Sequence, residues 1–341
     1  LTLKKSMKNF CSKKPKSKMK IEDRVYGNEE INEKVLIDLI SSNTLQRLKG
    51  ISQFGLPNEY CYIPSFSRYE HSIGVLILLR KIGASLKEQI AGLIHDISHT
   101  AFSHVVDWFA GDPTKEDYQD KIMEKFIKSS DIPQILEKHS YNYKELINHD
   151  TFSLLEQPAP NLCADRADYT LREIAFLHNK KDAIKILKHL KNINGKLVLN
   201  SLESAELFAQ YYTLFNKNHW AAKEAKARYH ILSNILKNAL KNKIISFKDL
   251  MKTDDFIINL LNNSNNNEII SGLKLLRKGF SLKKTENNGI ILKKKFRYID
   301  PELIYNGKIV RLSRVSNEYK KILEKEKQNS LIKEQFLIIE K

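Results

Sequence analysis

The sequence predicts a mainly α-helical fold that ends in a small α+β lobe. Over residues 21–270, apolar side chains recur at helical intervals, for example at Ile90 and Ile94. Ser85 and Glu88 precede that stretch with the spacing of a capping box, an arrangement that begins many helices. We therefore expect one helical domain over residues 21–270.

Beyond that domain the residue pattern changes. An asparagine-rich stretch, residues 262–267, predicts a loop, and residues 271–341 mix short apolar runs with turn residues. Asn306–Gly307 lies between two such runs and predicts a β-hairpin, because both residues tolerate the positive φ angles of a tight turn. The elements expected in this lobe are strands at 289–292 and 296–299, the hairpin, and a closing helix over 316–327.

Charge is distributed unevenly along the 341 residues. Lys and Arg number 57 against 40 Asp and Glu, a net charge of +17. Residues 1–20 carry +8 and residues 271–341 carry +10, so the region between them is close to neutral, at −1. We expect residues 1–20 to form a basic, mobile arm. Both basic ends could make weak contacts with nucleic acid, whereas the core of the protein is expected between them.

Membrane, disulfide-rich and dinucleotide-binding proteins do not match this sequence. The longest apolar run, near Ile73–Leu79, is far shorter than the roughly 18 residues of a membrane span. The three cysteines, Cys11, Cys61 and Cys163, are widely separated, unlike those of a disulfide scaffold or a zinc ribbon. Neither a P-loop nor a dinucleotide-binding glycine pattern occurs. We expect a cytoplasmic protein without membrane association, whose metal ligands would be histidines and carboxylates.

Histidines and carboxylates are concentrated in one short part of the helical domain. Imidazole and carboxylate ligands without thiolates suit a divalent transition metal or zinc at a hydrolytic site. His95 and Asp96 are adjacent, and adjacent residues of a helix point about 100° apart. Both can face one metal only if the helix ends or distorts there. The concentrated residues are His95, Asp96, His99, His104 and Asp107, with His71 upstream.

Four segments, in a fixed order, resemble the motifs of a known enzyme family. The first contains Gln53, the second is Arg68-Tyr-Glu-His71-Ser-Ile-Gly-Val, the third runs from Ile90 to Asp107, and the fourth runs from Asp165 to Glu173. These segments resemble the motifs of the HD-domain metal-dependent phosphohydrolases, which are named for the adjacent His-Asp pair. Within that family the chain most resembles the deoxynucleotide triphosphohydrolases that combine SAM and HD domains. The resemblance covers about residues 40–180.

The resemblance implies a fold, a cofactor and a role for each motif residue. It implies a helical HD-domain fold and a divalent transition metal (Mn, Fe, Co or Zn, with Mg acceptable). The metal ligands would be His71, His95, Asp96 and Asp165. Proton transfer and phosphate contact would fall to His99, His104 and Asp107. Substrate contacts would come from Gln53, Arg68, Arg166, Tyr169 and Glu173, the arginines holding phosphate.

The sequence also departs from the family pattern. No histidine occurs between His104 and His139, where the family has a further catalytic histidine, and Lys115-Glu116 stands at that place. Glu173 replaces an aspartate, and the segment that begins at Arg228 lacks the family's Tyr-Gln-His-Lys run. The resemblance therefore says least about the proton relay and about the choice of substrate.

The function expected from these features is hydrolysis of a nucleotide, a dNTP being cleaved to deoxynucleoside and triphosphate. Two alternatives remain open. One is hydrolysis of another nucleotide or phosphoester, such as a nucleoside monophosphate or a cyclic or polyphosphorylated nucleotide. The other is a catalytically weak HD scaffold that binds nucleic acid through its basic ends. The resemblance also implies a homo-oligomer.

Overall fold

The computed structural model describes residues 18–148, 151–292, 295–332 and 334–341, and it is mainly α-helical. The helices are α1 (Lys34–Ser41), α2 (Asn43–Arg47), α3 (Arg68–Lys81), α4 (Leu86–Ile94), α5 (Tyr118–Lys128), α6 (Ile132–Lys138), α7 (Tyr143–Leu146), α8 (Ala164–Glu173), α9 (Lys180–His189), α10 (Leu202–Phe215), α11 (Lys223–Lys241), α12 (Asp254–Asn262), α13 (Asn267–Lys278), α14 (Leu312–Val315) and α15 (Asn317–Ser330). The strands are β1 (Met19–Asp23), β2 (Gly27–Ile31), β3 (Leu190–Ile193), β4 (Lys196–Leu199), β5 (Phe280–Thr285), β6 (Ile290–Ile291), β7 (Glu302–Tyr305), β8 (Lys308–Arg311) and β9 (Gln335–Glu340). Two π-helical turns, Ile174–His178 and Asn216–Trp220, continue α8 and α10.

The strands form three small sheets. β1 and β2 pair as an antiparallel hairpin, and β5, β9 and β6 form an antiparallel sheet with β9 in the centre. The third sheet, in the order β3-β4-β7-β8, joins distant parts of the chain, because β7 lies parallel to β4 with Leu303 opposite Leu199. Through this sheet the C-terminal lobe is continuous with the helical domain, and α13 extends across residue 270.

Several features expected from the sequence are confirmed. The chain is mainly helical, and α15 covers the helix predicted over residues 316–327. In the predicted hairpin, Tyr305 pairs with Lys308 across Asn306 and Gly307, whose φ angles are 48° and 74°. Within the described ranges, every helix is too short or too polar to cross a lipid bilayer.

Other features were not predicted. The β3–β4 hairpin turns at Asn194–Gly195, the same dipeptide as in the C-terminal hairpin, so its signal was present in the sequence. β1 includes Met19 and Lys20, which the sequence assigned to the basic arm; residues 1–17 of that arm lie outside the described residues. β9 follows the closing helix and completes a sheet with β5 and β6.

The prediction of a strand at residues 296–299 is wrong. Alternating apolar residues indicate a strand there, yet the segment has no regular secondary structure. Backbone N–H groups at and beside it bond to three separate parts of the chain, so no β-ladder forms. The three bonds run from Lys295 to the Pro113 carbonyl (3.1 Å), from Arg297 to the Asn216 side chain (3.2 Å) and from Asp300 to the Pro160 carbonyl (3.0 Å).

Ser85 caps α4, but without the reciprocal bond that the spacing predicts. The Ser85 hydroxyl accepts the N–H of Glu88 at 3.2 Å, whereas the Glu88 carboxylate accepts the N–H groups of residues 154–155 at 2.8 and 3.1 Å. A full capping box begins α3 instead, between Ser67 and Glu70. The Glu88 bonds tie α4 to the loop that leads into α8.

Three helices position the candidate ligands. α3 packs against both α4 and α8. Gly92 lets α4 approach α3 closely, because a Cβ at this position would lie 2.3 Å from Leu79 Cδ1. His71 lies in α3, His95 follows α4 directly, and Asp165 lies in the first turn of α8. The positions of all three side chains therefore depend on packing between helices, some of which are distant in sequence.

Candidate metal centre

The four predicted ligands meet where α3, α4 and α8 converge. Ligand atoms of His71, His95 and Asp96 all lie within 4.8 Å of one another. Asp165 Oδ1 is 2.9 Å from His71 Nε2 and 3.6 Å from His95 Nε2. The first three residues are buried, at 0%, 6% and 3% exposure. The structure thus brings together two imidazoles and two carboxylates.

The helix ends where the adjacent ligand pair requires it to end. α4 stops at Ile94, and His95 is its C-cap residue. Nδ1 of His95 lies 2.7 Å from the Gly92 carbonyl oxygen, so it carries the proton and donates it there. Nε2 then keeps its lone pair for a ligand. Asp96 follows in a turn, with Oδ1 3.5 Å from His95 Nε2, so both side chains face one point.

Asp168, which is not among the residues predicted from the sequence, orients His71. Its Oδ2 lies 2.7 Å from His71 Nδ1, and its Oδ1 accepts a bond from the Tyr26 hydroxyl at 2.8 Å. Arg172 donates to both carboxylate oxygens, at 3.2 and 3.0 Å. Burial alone would raise the pKa of Asp168, but the charge of Arg172 and the contact with His71 hold it below its usual value. The spacing from Asp165, three residues along one helix, is a signal that could have identified it.

Gly74 leaves room for this buried network. A Cβ at position 74 would lie 1.9 Å from Arg172 Nη2 and 2.0 Å from Asp168 Oδ1. We expect Gly74→Ala to lower the free energy of unfolding by about 1–3 kcal/mol, because the network must shift to admit the methyl group. Urea denaturation measures this change. Ser72→Ala, in the same helix, should have little effect, and equal stability of the two variants would contradict the close approach described here.

The donor set fits a divalent cation. Among the described residues, Nε2 of His95 and Nε2 of His99 are buried and make no hydrogen bond, although Asp96 Oδ1 lies 3.5 and 3.3 Å from them. Buried ring nitrogens without a hydrogen bond are rare unless a ligand occupies the position of the missing partner. Both ring nitrogens of His71 face carboxylate oxygens, Nδ1 that of Asp168 and Nε2 that of Asp165. A neutral ring has only one N–H group, so either the ring is protonated or a cation lies between Nε2 and Asp165. Two imidazoles and two carboxylates match the ligands of catalytic transition-metal sites.

Arg68, predicted to hold phosphate, is bonded to the protein on two sides. Its Nη1 donates to Asp96 Oδ2 at 2.6 Å, and its Nε donates to the Ser103 hydroxyl at 2.7 Å. Burial alone would raise the pKa of Asp96, but Arg68 and the neighbouring histidines hold it well below its usual range. Arg68 therefore keeps the Asp96 carboxylate ionised, as a metal ligand must be.

The predicted proton-transfer histidines flank a tight turn. Phe102 and Ser103 have φ angles of 62° and 47°, in the left-handed region that non-glycine residues seldom adopt. Asp254, a buried carboxylate of α12, stabilises the turn by accepting the N–H of Phe102 at 2.7 Å. The turn places the rings of His99 and His104 edge to face, with centroids 4.9 Å apart.

Asp107 contacts His104. Its Oδ2 lies 3.2 Å from His104 Nδ1, and its Oδ1 accepts the N–H of Tyr118 at 3.0 Å. Asp107 is 1% exposed, whereas His104 lines the cavity described next. A buried, anchored carboxylate can hold an imidazole in one orientation, which is the arrangement that proton transfer requires.

A cavity of about 560 Å³ opens on the ligand cluster. This volume is within the range of pockets that bury small molecules. The predicted ligands that line it are His95, Asp96 and Asp165, and the other predicted site residues are Gln53, Arg68, His99, His104, Arg166 and Tyr169. Five lining side chains are cationic: Arg68, Arg166, Arg228, Lys295 and Arg297. Eight are aromatic: Phe54, Tyr62, Tyr169, Tyr212, Trp220, Tyr229, Phe296 and Tyr298.

Glu173, predicted to contact substrate, lies behind the cavity wall. It is fully buried, and its Oε1 accepts a bond from the indole N–H of Trp220 at 2.7 Å. Its Oε2 lies 3.4 Å from His219 Nδ1. Trp220 and His219 belong to a π-helical turn and line the cavity themselves. In this structure Glu173 therefore holds lining residues in place and is separated from the cavity by them.

Arg166 and Tyr169 lie on the cavity wall and are each paired. Arg166 Nη2 donates to Glu156 at 3.0 Å, and the Tyr169 and Tyr212 hydroxyls lie 2.8 Å apart. Glu156 was not predicted from the sequence. It lines the cavity beside the ligand cluster, where burial and the charge of Asp165 raise its pKa to about 7.

Comparison with known proteins identifies the family. The model of the HD domain matches residues 68–173, the segment that contains all four predicted ligands. The metal-dependent phosphohydrolase cns2 of Cordyceps militaris is 37% identical over 209 residues, which is 59% of this chain and 60% of that protein. The uncharacterized protein YdhJ of Bacillus subtilis is 42% identical over 308 residues, 89% of this chain and 94% of its own length. The chain belongs to the HD-domain family of metal-dependent phosphohydrolases.

More distant relatives of this HD-domain protein include dNTP-cleaving enzymes. The deoxynucleoside triphosphate triphosphohydrolase SAMHD1 homolog of Dictyostelium discoideum is 23% identical over 309 residues, which is 77% of this chain and 58% of that protein. A crystal structure of a phosphohydrolase from Bacteroides thetaiotaomicron matches with a TM-score of 0.71 at 19% identity, covering 95% of this chain and 100% of that one. The structural match confirms the helical HD-domain fold.

Proposed function

We propose that this HD-domain protein hydrolyses nucleotides, with a dNTP cleaved to deoxynucleoside and triphosphate. The observation that carries the proposal is the opening of the ligand cluster onto a cavity of about 560 Å³ with five cationic and eight aromatic side chains. Cations suit phosphate groups, and aromatic rings suit a base or sugar. Similarity to deoxynucleoside triphosphate triphosphohydrolases supports a dNTP over other nucleotides.

The ligands proposed for the metal are His71, His95, Asp96 and Asp165. A bound divalent cation lowers the pKa of a water molecule and polarises the phosphorus centre. Within the chain itself, Arg68 neutralises Asp96, and Asp168 fixes the ring of His71 by accepting its Nδ1 proton. These buried contacts preorganise the cluster, so little rearrangement is needed when substrate enters.

Proton transfer to the leaving oxygen is assigned to His104. Its Nδ1 faces Asp107, which directs Nε2 away from that carboxylate and stabilises the protonated ring. His99 lies against His104, where burial and the charge of Arg68 lower the pKa of His99 well below its usual value. His99 is therefore neutral and can accept a bond or coordinate, whereas the role of proton donor is assigned to His104 because of its contact with Asp107.

Product analysis tests the proposed function. We expect the purified protein, incubated with each dNTP and Mn²⁺, Co²⁺, Fe²⁺ or Mg²⁺, to release inorganic triphosphate and the deoxynucleoside. Ion-exchange chromatography resolves both products, and a metal-free sample is the control. Pyrophosphate and a nucleoside monophosphate as the sole products would contradict the triphosphohydrolase assignment. Turnover of monophosphates or cyclic nucleotides in place of dNTPs would support the alternative function, which is hydrolysis of another nucleotide phosphoester.

A further inference from the structure

A segment of the C-terminal lobe, residues 295–298, forms part of the cavity wall; we call it the strap. All four of its side chains line the cavity, although it lies far outside the matched HD domain. Its backbone is held by the bonds from Lys295 to Pro113 and from Arg297 to Asn216. No residue of the strap was predicted to belong to the site. The strap therefore brings groups to the cavity that the HD motifs do not supply.

Arg297 is the strap residue with unused binding capacity. Its Nη2 bonds to Glu116, a buried carboxylate. Its Nη1 is buried and bonds to no described residue. A guanidinium has five N–H donors, and a buried donor without an acceptor costs free energy. The unused Nη1 in a cavity wall indicates that a ligand supplies the acceptor.

The other lining arginines are engaged by the protein. Arg68 donates to Asp96, Arg166 donates to Glu156, and Arg228 donates to Glu224 and to two backbone carbonyls. Within the described residues, Arg297 alone among these arginines has a buried nitrogen that makes no bond. An additional anionic group in the cavity could accept a hydrogen bond from Nη1 of Arg297.

The position of Arg297 differs from that of the metal ligands. No ion pair or hydrogen bond links Arg297 to His71, His95, Asp96 or Asp165 among the described contacts. The Nη1 donor of Arg297 is therefore a binding point additional to the four proposed ligands.

We propose that the strap is a substrate-binding element and that Arg297 binds a phosphoryl group other than the one at the metal centre. Arg suits this role because its planar fork can bond an anionic oxygen while keeping its pair with Glu116. The inference rests on the proposed function and names the residue through which nucleotides with two or more phosphoryl groups would be preferred over monophosphates. Lys295 provides a second, exposed cation on the same segment.

Binding of matched nucleotides tests the strap. The probes are the monophosphate dAMP and a non-hydrolysable analogue of dATP, in which a methylene group replaces the 5′ oxygen so that the bond broken in the proposed reaction is absent. Both are titrated calorimetrically into metal-loaded full-length protein. We expect Arg297→Met to weaken binding of the analogue by about 10- to 100-fold, the value of a lost charged hydrogen bond. Binding of dAMP should change by less than about 2-fold. Arg297→Lys should restore part of the affinity for the analogue.

Two further variants separate binding from folding. Arg297→Met removes the cation that bonds to the buried Glu116. The double variant E116Q/R297M removes both charges and should keep the fold, as thermal unfolding will show. Lys308→Met removes an exposed cation of the same lobe and should leave both affinities unchanged. Equal losses for the analogue and dAMP, or no loss for either, would overturn the strap assignment.

The same titration distinguishes this inference from the proposed function. If wild-type protein binds the analogue through Arg297 but hydrolyses no nucleotide, the proposed function fails and the strap assignment stands. If it hydrolyses nucleotides and Arg297→Met binds the analogue as wild type does, only the strap assignment fails. Wild-type protein that binds neither nucleotide overturns both.

Discussion

Asp96→Asn should remove both the bound metal and nucleotide hydrolysis. Asp96 supplies a buried carboxylate at the point where His71 and His95 meet, and an amide cannot replace its charge. Loss of the cation removes several kcal/mol of charge stabilisation, so kcat should fall by at least about 1,000-fold. Elemental analysis of the purified variant gives the metal content, and triphosphate release from a dNTP gives kcat.

A matched buried carboxylate serves as the control for Asp96. Asp254 accepts the N–H groups of Phe102 and Ser52 at 2.7 and 2.9 Å but lies outside the ligand cluster. Asp254→Asn should lower the melting temperature and retain the metal. Because Asp96→Asn leaves Arg68 without its carboxylate, its melting temperature must be measured as well. Stoichiometric metal in a folded Asp96→Asn variant would show that the ligand assignment is wrong.

Asp168→Asn should weaken metal binding and destabilise the fold, although Asp168 touches no metal in the proposed arrangement. It accepts the Nδ1 proton of His71 and pairs with Arg172, all three being buried. Loss of a carboxylate that orients a ligand histidine typically costs 10- to 100-fold in metal affinity. The variant also removes one of the two carboxylates that pair with Arg172, so that only Asp23 remains. The free energy of unfolding should therefore fall by up to about 3–5 kcal/mol.

Competition with a chelator and urea denaturation measure the two effects of Asp168→Asn. Tyr26→Phe is the control, since it removes one hydrogen bond to Asp168 and leaves the carboxylate in place. The free energy of unfolding of Tyr26→Phe should fall by about 1 kcal/mol, and its metal affinity should stay within about twofold of that of the wild-type protein. Wild-type metal affinity in Asp168→Asn would mean that the ring of His71 is oriented by other contacts.

Part of the clustering of the four proposed ligands could be predicted, because two of them are neighbours in sequence. His95 and Asp96 are adjacent, and the requirement that the helix end there is met, since α4 stops at Ile94. The separate motifs at His71 and Asp165 could be joined to this pair only through the family resemblance. Their packing depends on α3, α4 and α8, whose contacts are not visible in any short stretch of sequence.

The cavity wall could not be predicted in the same way. Arg297 and Glu116 are 181 residues apart, and their pairing depends on where the C-terminal lobe meets the helical domain. The alternating pattern at 296–299 predicts a strand, because periodicity reports side-chain environment and not hydrogen-bond partners. Glu173 has the helical spacing of a wall residue, yet Trp220 and His219 from a π-helical turn come between it and the cavity.

Anomalous diffraction from crystals of the metal-loaded protein, collected at the absorption edge of that metal, tests the central claim most directly. The account predicts one strong peak among His71 Nε2, His95 Nε2, Asp96 and Asp165. A second group of candidate donors, Glu156 and Cys163 with Asp165, lies nearby and offers a clear alternative. A peak at that second group without one at the His71–His95–Asp96 cluster, or no peak at either, would contradict the account.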